Sequence, residues 1–368
     1  MLLHNITGKY GGKMQTIISK LIDENLKYLD DKFSDAPDVK RQRLLLKDGT
    51  SALVVYIDGL VDINLLQRDI LQGLLLQTCN SVFDEKLQTV SFSGTNSVVT
   101  DSFDKAMTYM LNGWPAIFIN SYDRAILINL AKPEKRSISS PTNEKNVKGP
   151  QEAFIESLGT NISILRRKIK NHRLKFKLLS LGDISNQLLV IAYIDGLANP
   201  KTIDTMYNKL VNTSYDGLLD IGYIEQLIAD NQISPFPHYL STERPDRVVA
   251  GLLEGQIAVI LDGTPYAIMA PVSFFSFLQA PDDYYGSWMV HSLNRLLRFL
   301  ALVIALFLPA LYIAIVSYHY YMIPLNLLIP LAESRARVPF PPIVEVLILE
   351  TTLEMLREAT IRLPTFIA

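Results

Sequence analysis

The sequence predicts an α/β fold: two related α/β lobes followed by an α-helical transmembrane region. Three observations predict it. Leu53–Leu60 reads LVVYIDGL and Leu189–Leu197 reads LVIAYIDGL, so a short β-branched apolar run ending in Asp-Gly occurs twice. Such a run reads as a buried strand leaving into a turn. A second matched pair follows in the same order, LNGWPAIFI at Leu111–Ile119 and LEGQIAVIL at Leu253–Leu261. Lastly, no Asp, Glu, Lys or Arg occurs between Phe299 and Ala332. That run meets the roughly 20 apolar helical residues needed to cross a hydrocarbon core about 30 Å thick.

Each element follows from local pattern. Residues 1–34 form an N-terminal segment expected to be helical, and MLLHNITGKYGGKMQ has no apolar core of the kind a signal peptide carries. The first lobe, 35–136, holds the Leu53 strand, a helix-like stretch Asn64–Leu75, and strands within Leu111–Ile119 and from Ile126. Residues 137–179 read as a linker and a basic connecting helix: Ser137–Asn146 is loop-like, and Phe154, Ile155, Leu158, Ile162, Ile164 and Leu165 recur at helical spacings. Arg166, Arg167, Lys168, Lys170, Arg173, Lys175 and Lys177 make a basic block there. It reads either as a solvated face joining the lobes or as a surface for anionic lipid or an acidic neighbour.

The second lobe, 180–275, repeats the plan, with a helix at Lys201–Val211 and a hairpin turn at Asp262-Gly263 before a strand from Tyr266. Residues 276–298 form a pre-membrane segment. The aromatic residues Phe274, Phe275, Phe277, Tyr284, Tyr285 and Trp288 before the span suit either the headgroup level or the base of the lobe. Residues 299–368 start a membrane domain. Its first span, about 299–318, runs from Phe299 past Pro309, which would kink it, to Val316 and beyond. A broken apolar segment, Leu325–Ala332, and an amphipathic helix, 343–362, follow.

Composition narrows the function. The 368 residues carry a net charge of −2, so nothing global points to nucleic acid. One cysteine, Cys79, excludes an internal disulfide framework and a cysteine zinc cage. No phosphate-binding, dinucleotide-binding, zinc-protease or serine-hydrolase motif occurs, and His4, His172, His238, His291 and His319 are scattered. The reading is therefore no enzyme, no cofactor and no metal. Arg295 and Arg298 precede the span, which places the soluble region in the cytoplasm by the positive-inside rule, and Arg335 and Arg337 follow the uncharged run. On that side the sequons at Asn5, Asn161 and Asn212 are chance matches.

Two polar constellations stand out. Asp58 and Asp195 lie where strands end, a frequent ligand position in α/β folds, but Asp-Gly is first of all an ordinary turn. Glu350, Glu354 and Glu358 recur every four residues on one helix face. They read as partners of Arg357 and Arg362 along an amphipathic helix, or as an acidic ring at a pore mouth if subunits assemble around an axis. Glu345 interrupts an apolar stretch. It is a functional candidate at membrane depth and cheap at an interface.

GPQEAFIESLGTNISILRRKI (Gly149–Ile169), PFPHYLSTERPDRVVAGLLEGQIAVILDGTP (Pro235–Pro265) and VPFPPIVEVLILETTLEMLREATIRLP (Val338–Pro364) together resemble the A subunit of GerA-type nutrient germinant receptors. The resemblance covers most of the chain beyond about residue 50. It implies a two-part α/β region and a helical, multi-pass membrane domain in the spore inner membrane. It also implies a transporter-like B subunit, a C subunit lipoprotein, a homo-oligomeric ligand-gated cation channel, and signal transduction without turnover. Family members continue past RLPTFIA, so this chain is expected to lack later spans, and Thr360 stands where the family usually has Gly. The alternative expectation is a membrane-tethered small-molecule binding module with its cleft between the lobes, near Asp58 and Asp195.

Overall fold

In the computed structural model the described residues are 17–76, 96–131, 141, 144, 149–212, 216–217, 219–231, 233–234, 236–336 and 338–362. Cys79, Arg337 and most of the Ser137–Asn146 stretch lie outside them. The chain divides into two compact units, Met1–Phe277 and Leu278–Ala368.

The first unit contains two five-stranded antiparallel sheets of one topology. The first sheet has strands β1 (Val39–Leu45), β2 (Ser51–Ile57), β3 (Ser97–Thr100), β4 (Ala116–Ile119) and β5 (Ala125–Ile128), in spatial order β1-β2-β4-β5-β3. The second has β6 (Leu174–Leu181), β7 (Gln187–Ile194), β8 (Leu240–Thr242), β9 (Ile257–Leu261) and β10 (Ala267–Ala270), in order β6-β7-β9-β10-β8. The repeat seen in sequence is thus a repeat of connectivity: β2 matches β7, β4 matches β9 and β5 matches β10. The expected turn at Asp262-Gly263 joins β9 to β10, with Gly263 at φ +89.

Both sheets are covered on both faces, which explains why their central strands are continuous apolar runs. Leu53, Val55 and Ile57 of β2 pack with helices Ile22–Lys32 and Phe103–Met110. Ala52 and Val54 point the other way, onto Leu66, Ile70 and Leu74. Those three belong to a helical run from Ile63 to Leu76 whose middle, Leu66–Leu71, is a π-type turn. In the second lobe Val190, Ala192 and Ile194 meet helices Leu158–Lys168 and Pro245–Leu253. Leu189 and Ile191 meet helices Pro200–Val211 and Ile221–Ile228. Asn199 caps the Pro200 helix by accepting from the Lys201 amide at 3.0 Å, with proline at the first helical position.

The stretch expected to be a linker plus connecting helix contributes layers of the second lobe. Phe154, Leu158, Ile162, Leu165, Leu174 and Phe176 all lie in its core. Asn161 is fully buried and bonds the Ile155 backbone through both ends of its amide, so folding itself closes this sequon.

The second unit holds helices Trp288–Tyr318, Leu325–Arg335 and Pro342–Arg362. Among the described residues one helix, Trp288–Tyr318, is long and apolar enough to cross a membrane. It contains Phe299, Pro309 and Val316, and it continues as one helix past Pro309. It also starts earlier than the uncharged run, so Arg295 and Arg298 are helical residues.

Candidate functional site

The polar side chains of the first unit converge where the two lobes meet. Asp38 enters β1 and Arg166 leaves the Leu158–Lys168 helix, 128 residues apart in the chain. Arg166 Nε and Nη2 donate to the two carboxylate oxygens of Asp38 at 2.9 and 3.0 Å. Its Nη1 donates to the carbonyls of Leu174 and Asn171, and its guanidinium lies 4.9 Å from the Phe176 ring centre. Both side chains are buried, Arg166 completely. This bidentate arrangement satisfies most of the guanidinium's donors without water.

Around that pair the segment after the first helix docks on the free edge of β6. The Phe176 amide donates to the Asp35 carbonyl at 2.7 Å, as a ladder partner would. Lys175 Nζ donates to the Lys32 carbonyl and to Ser34 Oγ, and the Tyr193 hydroxyl donates to the Asp35 carboxylate at 3.0 Å. Burial holds the Lys175 ammonium below its ordinary range, with Asp195 and Asp35 opposing the shift. Burial followed by Asp35 pushes the Tyr193 hydroxyl up. An edge strand that would otherwise invite foreign pairing is closed from within the chain.

This arrangement corrects the solvated-face reading of the basic block. Arg166 and Lys175 are buried in the seam. Arg167 and Lys168 bind Glu152 at 2.8 and 2.7 Å, and Lys170 donates to Asn112. Arg173 donates to the Asp195 carbonyl, and Lys177 sits 3.6 Å from the Tyr207 ring centre. Each cation of the block thus has a contact within the fold, and Arg166 and Lys175 are removed from solvent.

A cavity of about 390 Å³ opens beside the seam, lined by Asp38, Asp58, Gly59, Ser157, Thr160 and Asp262 among others. Its volume falls within the ordinary range for small-ligand pockets. The Leu158–Lys168 helix begins in its wall. Ser157 caps the Thr160 amide, and Asp262 accepts from the Leu158 amide at 2.9 Å. Asp58 lines the cavity and accepts from the Gly59 amide at 2.9 Å. Asp195, its counterpart in the repeat, is exposed and is absent from the cavity lining, so the fold does not bring the two aspartates together there.

The STERPDR stretch is equally architectural. Arg244 is fully buried, bound to Asp246 at 2.7 and 3.1 Å and donating to the Glu144 and Pro150 carbonyls. Arg247 pairs with Glu144 at 2.5 Å, and the Glu144 amide donates to Glu243. These contacts fasten the connection between the lobes onto the second one.

In the second unit Glu350, Glu354 and Glu358 are exposed on the Pro342–Arg362 helix. Glu354 pairs with Arg357 at 2.9 Å, one of the two intrahelical pairs expected from spacing. Glu345 is half-buried, with Arg335 of the preceding helix 3.5 Å away, and one of its carboxylate oxygens is buried without a hydrogen bond.

Comparison with known proteins supplies context for this geometry. Residues 27–368 match the family model described as Bacillus/Clostridium GerA spore germination protein. The chain is 38% identical over 325 residues to spore germination protein GerQA of Bacillus cereus, covering 87% of this chain and 64% of that one. It is 35% identical over 350 residues to spore germination protein A1 of Bacillus subtilis (strain 168), covering 95% and 72%. It is 36% identical over 350 residues to the uncharacterized membrane protein YfkQ of the same strain, covering 94% and 68%. The chain therefore spans about two thirds of the length of these relatives. Its fold is similar to the crystal structure of the N-terminal domain of the A subunit of the Bacillus megaterium spore germinant receptor GerK3. That match has 28% identity and a TM-score of 0.56, and it covers 71% of this chain and 99% of that one.

Proposed function

This chain belongs to the GerA spore germination protein family, and we propose that it acts as the A subunit of a nutrient germinant receptor. In this reading it works in the spore inner membrane beside a transporter-like B subunit and a C subunit lipoprotein, as one member of a homo-oligomer that forms a ligand-gated cation channel. The soluble region lies on the cytoplasmic side and passes on a signal, with no catalytic turnover. The observation that carries the reading is the agreement of a family match along residues 27–368 with the two-lobed fold of a receptor A-subunit domain.

The ion path would include Glu350, Glu354 and Glu358, with Glu345 nearer the preceding helix. The support is their placement on one exposed helix face in the unit that carries the apolar span. Repeated around an axis, such carboxylates would concentrate cations at an entrance. Replacing all three with glutamine in a complete receptor is expected to slow cation release severalfold while assembly stays normal. Unchanged release at normal assembly would remove them from the path.

A second reading is favoured by the cavity at the lobe seam. It makes the soluble region a small-molecule binding module, with Asp58 at the ligand and Asp195 outside it. Titration calorimetry of the isolated soluble region against amino acids and sugars tests this directly. Saturable heat that Asp58→Asn weakens is expected. Silence across both classes would leave nutrient recognition to a partner subunit.

A further inference from the structure

A single carboxylate ties the chain entering the membrane helix to the helix itself. Asp283 belongs to the short 3-10 turn Pro281–Tyr284, and its side chain is 1% exposed. Arg298 Nη2 donates to its Oδ1 at 2.6 Å, and Arg298 Nη1 donates to its Oδ2 at 2.7 Å. Arg295 Nε and the Ala280 amide also donate to Oδ2, at 3.3 and 3.1 Å. Arg298 reaches further and donates to the Leu278 carbonyl at 2.7 Å. His291 Nδ1 lies 3.8 Å from Oδ1, and its ring presses so close to Gly286 that a Cβ there would fall 1.9 Å from Nε2.

These contacts make the segment Leu278–Gly286 a folded joint against the opening turns of the Trp288–Tyr318 helix. Burial acts to raise the Asp283 carboxyl, but the hydrogen bonds from Arg298, Ala280 and Arg295 and the Arg298 charge leave it below the ordinary carboxylate range. It is therefore ionised at neutral pH. Arg298 is also the last charged residue before the uncharged run begins at Phe299. Two arginines whose position alone suggests attraction to anionic headgroups are instead directed at an internal acceptor. A flexible tether would let the soluble region move without disturbing the span. A carboxylate held by a bidentate arginine, with that arginine also holding the carbonyl of Leu278, removes slack between Leu278 and the helix.

We infer that Asp283, clamped by Arg298 and Arg295, is the positioning residue through which movement of the soluble region is delivered to the membrane helix. The inference rests on the receptor reading and adds to it a specific joint. Removing the charge would leave both arginines facing a neutral amide with one acceptor oxygen in place of two and loosen the segment, so the nutrient signal would reach the span weakened.

The test uses spores of a strain lacking the gene, complemented with wild type, Asp283→Asn, Asp283→Glu or the exchange Asp283→Arg with Arg298→Asp. Membrane levels of each variant are measured alongside the nutrient dose–response. Wild type is expected to restore nutrient-triggered germination. At wild-type membrane level, Asp283→Asn should shift the half-effective nutrient concentration by about 5–150-fold, the span of ordinary coupling free energies. Glu, or the exchanged pair, should recover part of the response, which a merely structural loss would not show. Should Asp283→Asn prove too scarce in the membrane, the exchanged pair at normal level decides: a restored dose–response supports the clamp and a flat one overturns it. An unshifted curve for Asp283→Asn at normal level also overturns the clamp. Failure of the wild-type gene to restore any nutrient response would instead overturn the receptor reading, and the coupling role with it.

Discussion

Replacing Asp38 with alanine is expected to destabilise the soluble region by about 3–5 kcal/mol, the usual consequence of stripping one member from a buried ion pair. The reason is local. Arg166 is fully buried, and two of its three nitrogens reach Asp38. Without that carboxylate the guanidinium keeps only the carbonyls of Leu174 and Asn171. Those two carbonyls and the Phe176 ring carry no negative charge to replace the carboxylate. For a unit of this size each kcal/mol moves the melting midpoint by roughly 2–4 °C, so a fall on the order of 10 °C is expected in a thermal melt of the Met1–Phe277 unit. The pair is not irreplaceable, however. Exchanging both residues together, Asp38→Leu with Arg166→Met, removes charge and counter-charge at once and should recover most of the loss. A single Asp38→Ala variant that melts within 2 °C of wild type, by the same scale, would show that the seam does not depend on this pair.

The same pair marks how far sequence reasoning reaches in this chain. The central strands were legible because both faces of each sheet are covered, which turns β2 and β7 into uninterrupted apolar runs. The outer strands were not. β1 is VKRQRLL and β6 is LKFKLLSL, and their charges suit an edge or a seam where no periodic apolar signal survives. The basic block was legible as a block, but its role was not. Nothing local distinguishes an arginine facing water from one facing an aspartate 128 residues away. The acidic stripe fared differently, since a four-residue spacing is a helical property and its Glu354–Arg357 pair is local. Asp58 and Asp195 were legible as equivalent turns. Their different surroundings follow from contacts between lobes, which equivalence within a repeat does not encode.

That last difference gives a sharp expectation at the two glycines that follow them. Gly59 and Gly196 occupy matching turns with φ of +78 and +71, so an alanine pays the same backbone penalty at both, about 1–2 kcal/mol for a left-handed residue. The space around them is unlike. A Cβ on Gly196 meets the end of the Arg173 side chain at 2.6 Å, which can swing away. A Cβ on Gly59 would fall 1.8 Å from Ser163 Oγ and 2.8 Å from Ser163 Cβ, on the helix of the opposite lobe. Ser163 cannot retreat easily. Its hydroxyl is bonded to the Gly159 carbonyl at 2.8 Å, and its helix also carries Arg166. Gly59→Ala must therefore push the lobes apart or distort the turn, adding about 1–3 kcal/mol of overpacking. Urea unfolding of the soluble unit should show Gly59→Ala more destabilising than Gly196→Ala by that margin. Pairing Gly59→Ala with Ser163→Gly tests the cause. It removes both clashing atoms at a helix-propensity cost near 1 kcal/mol, so the double variant should be no worse than Gly59→Ala alone if contact with Ser163 is the cause. Equal unfolding midpoints for the Gly59 and Gly196 variants would mean that the lobes are not pressed together at this turn.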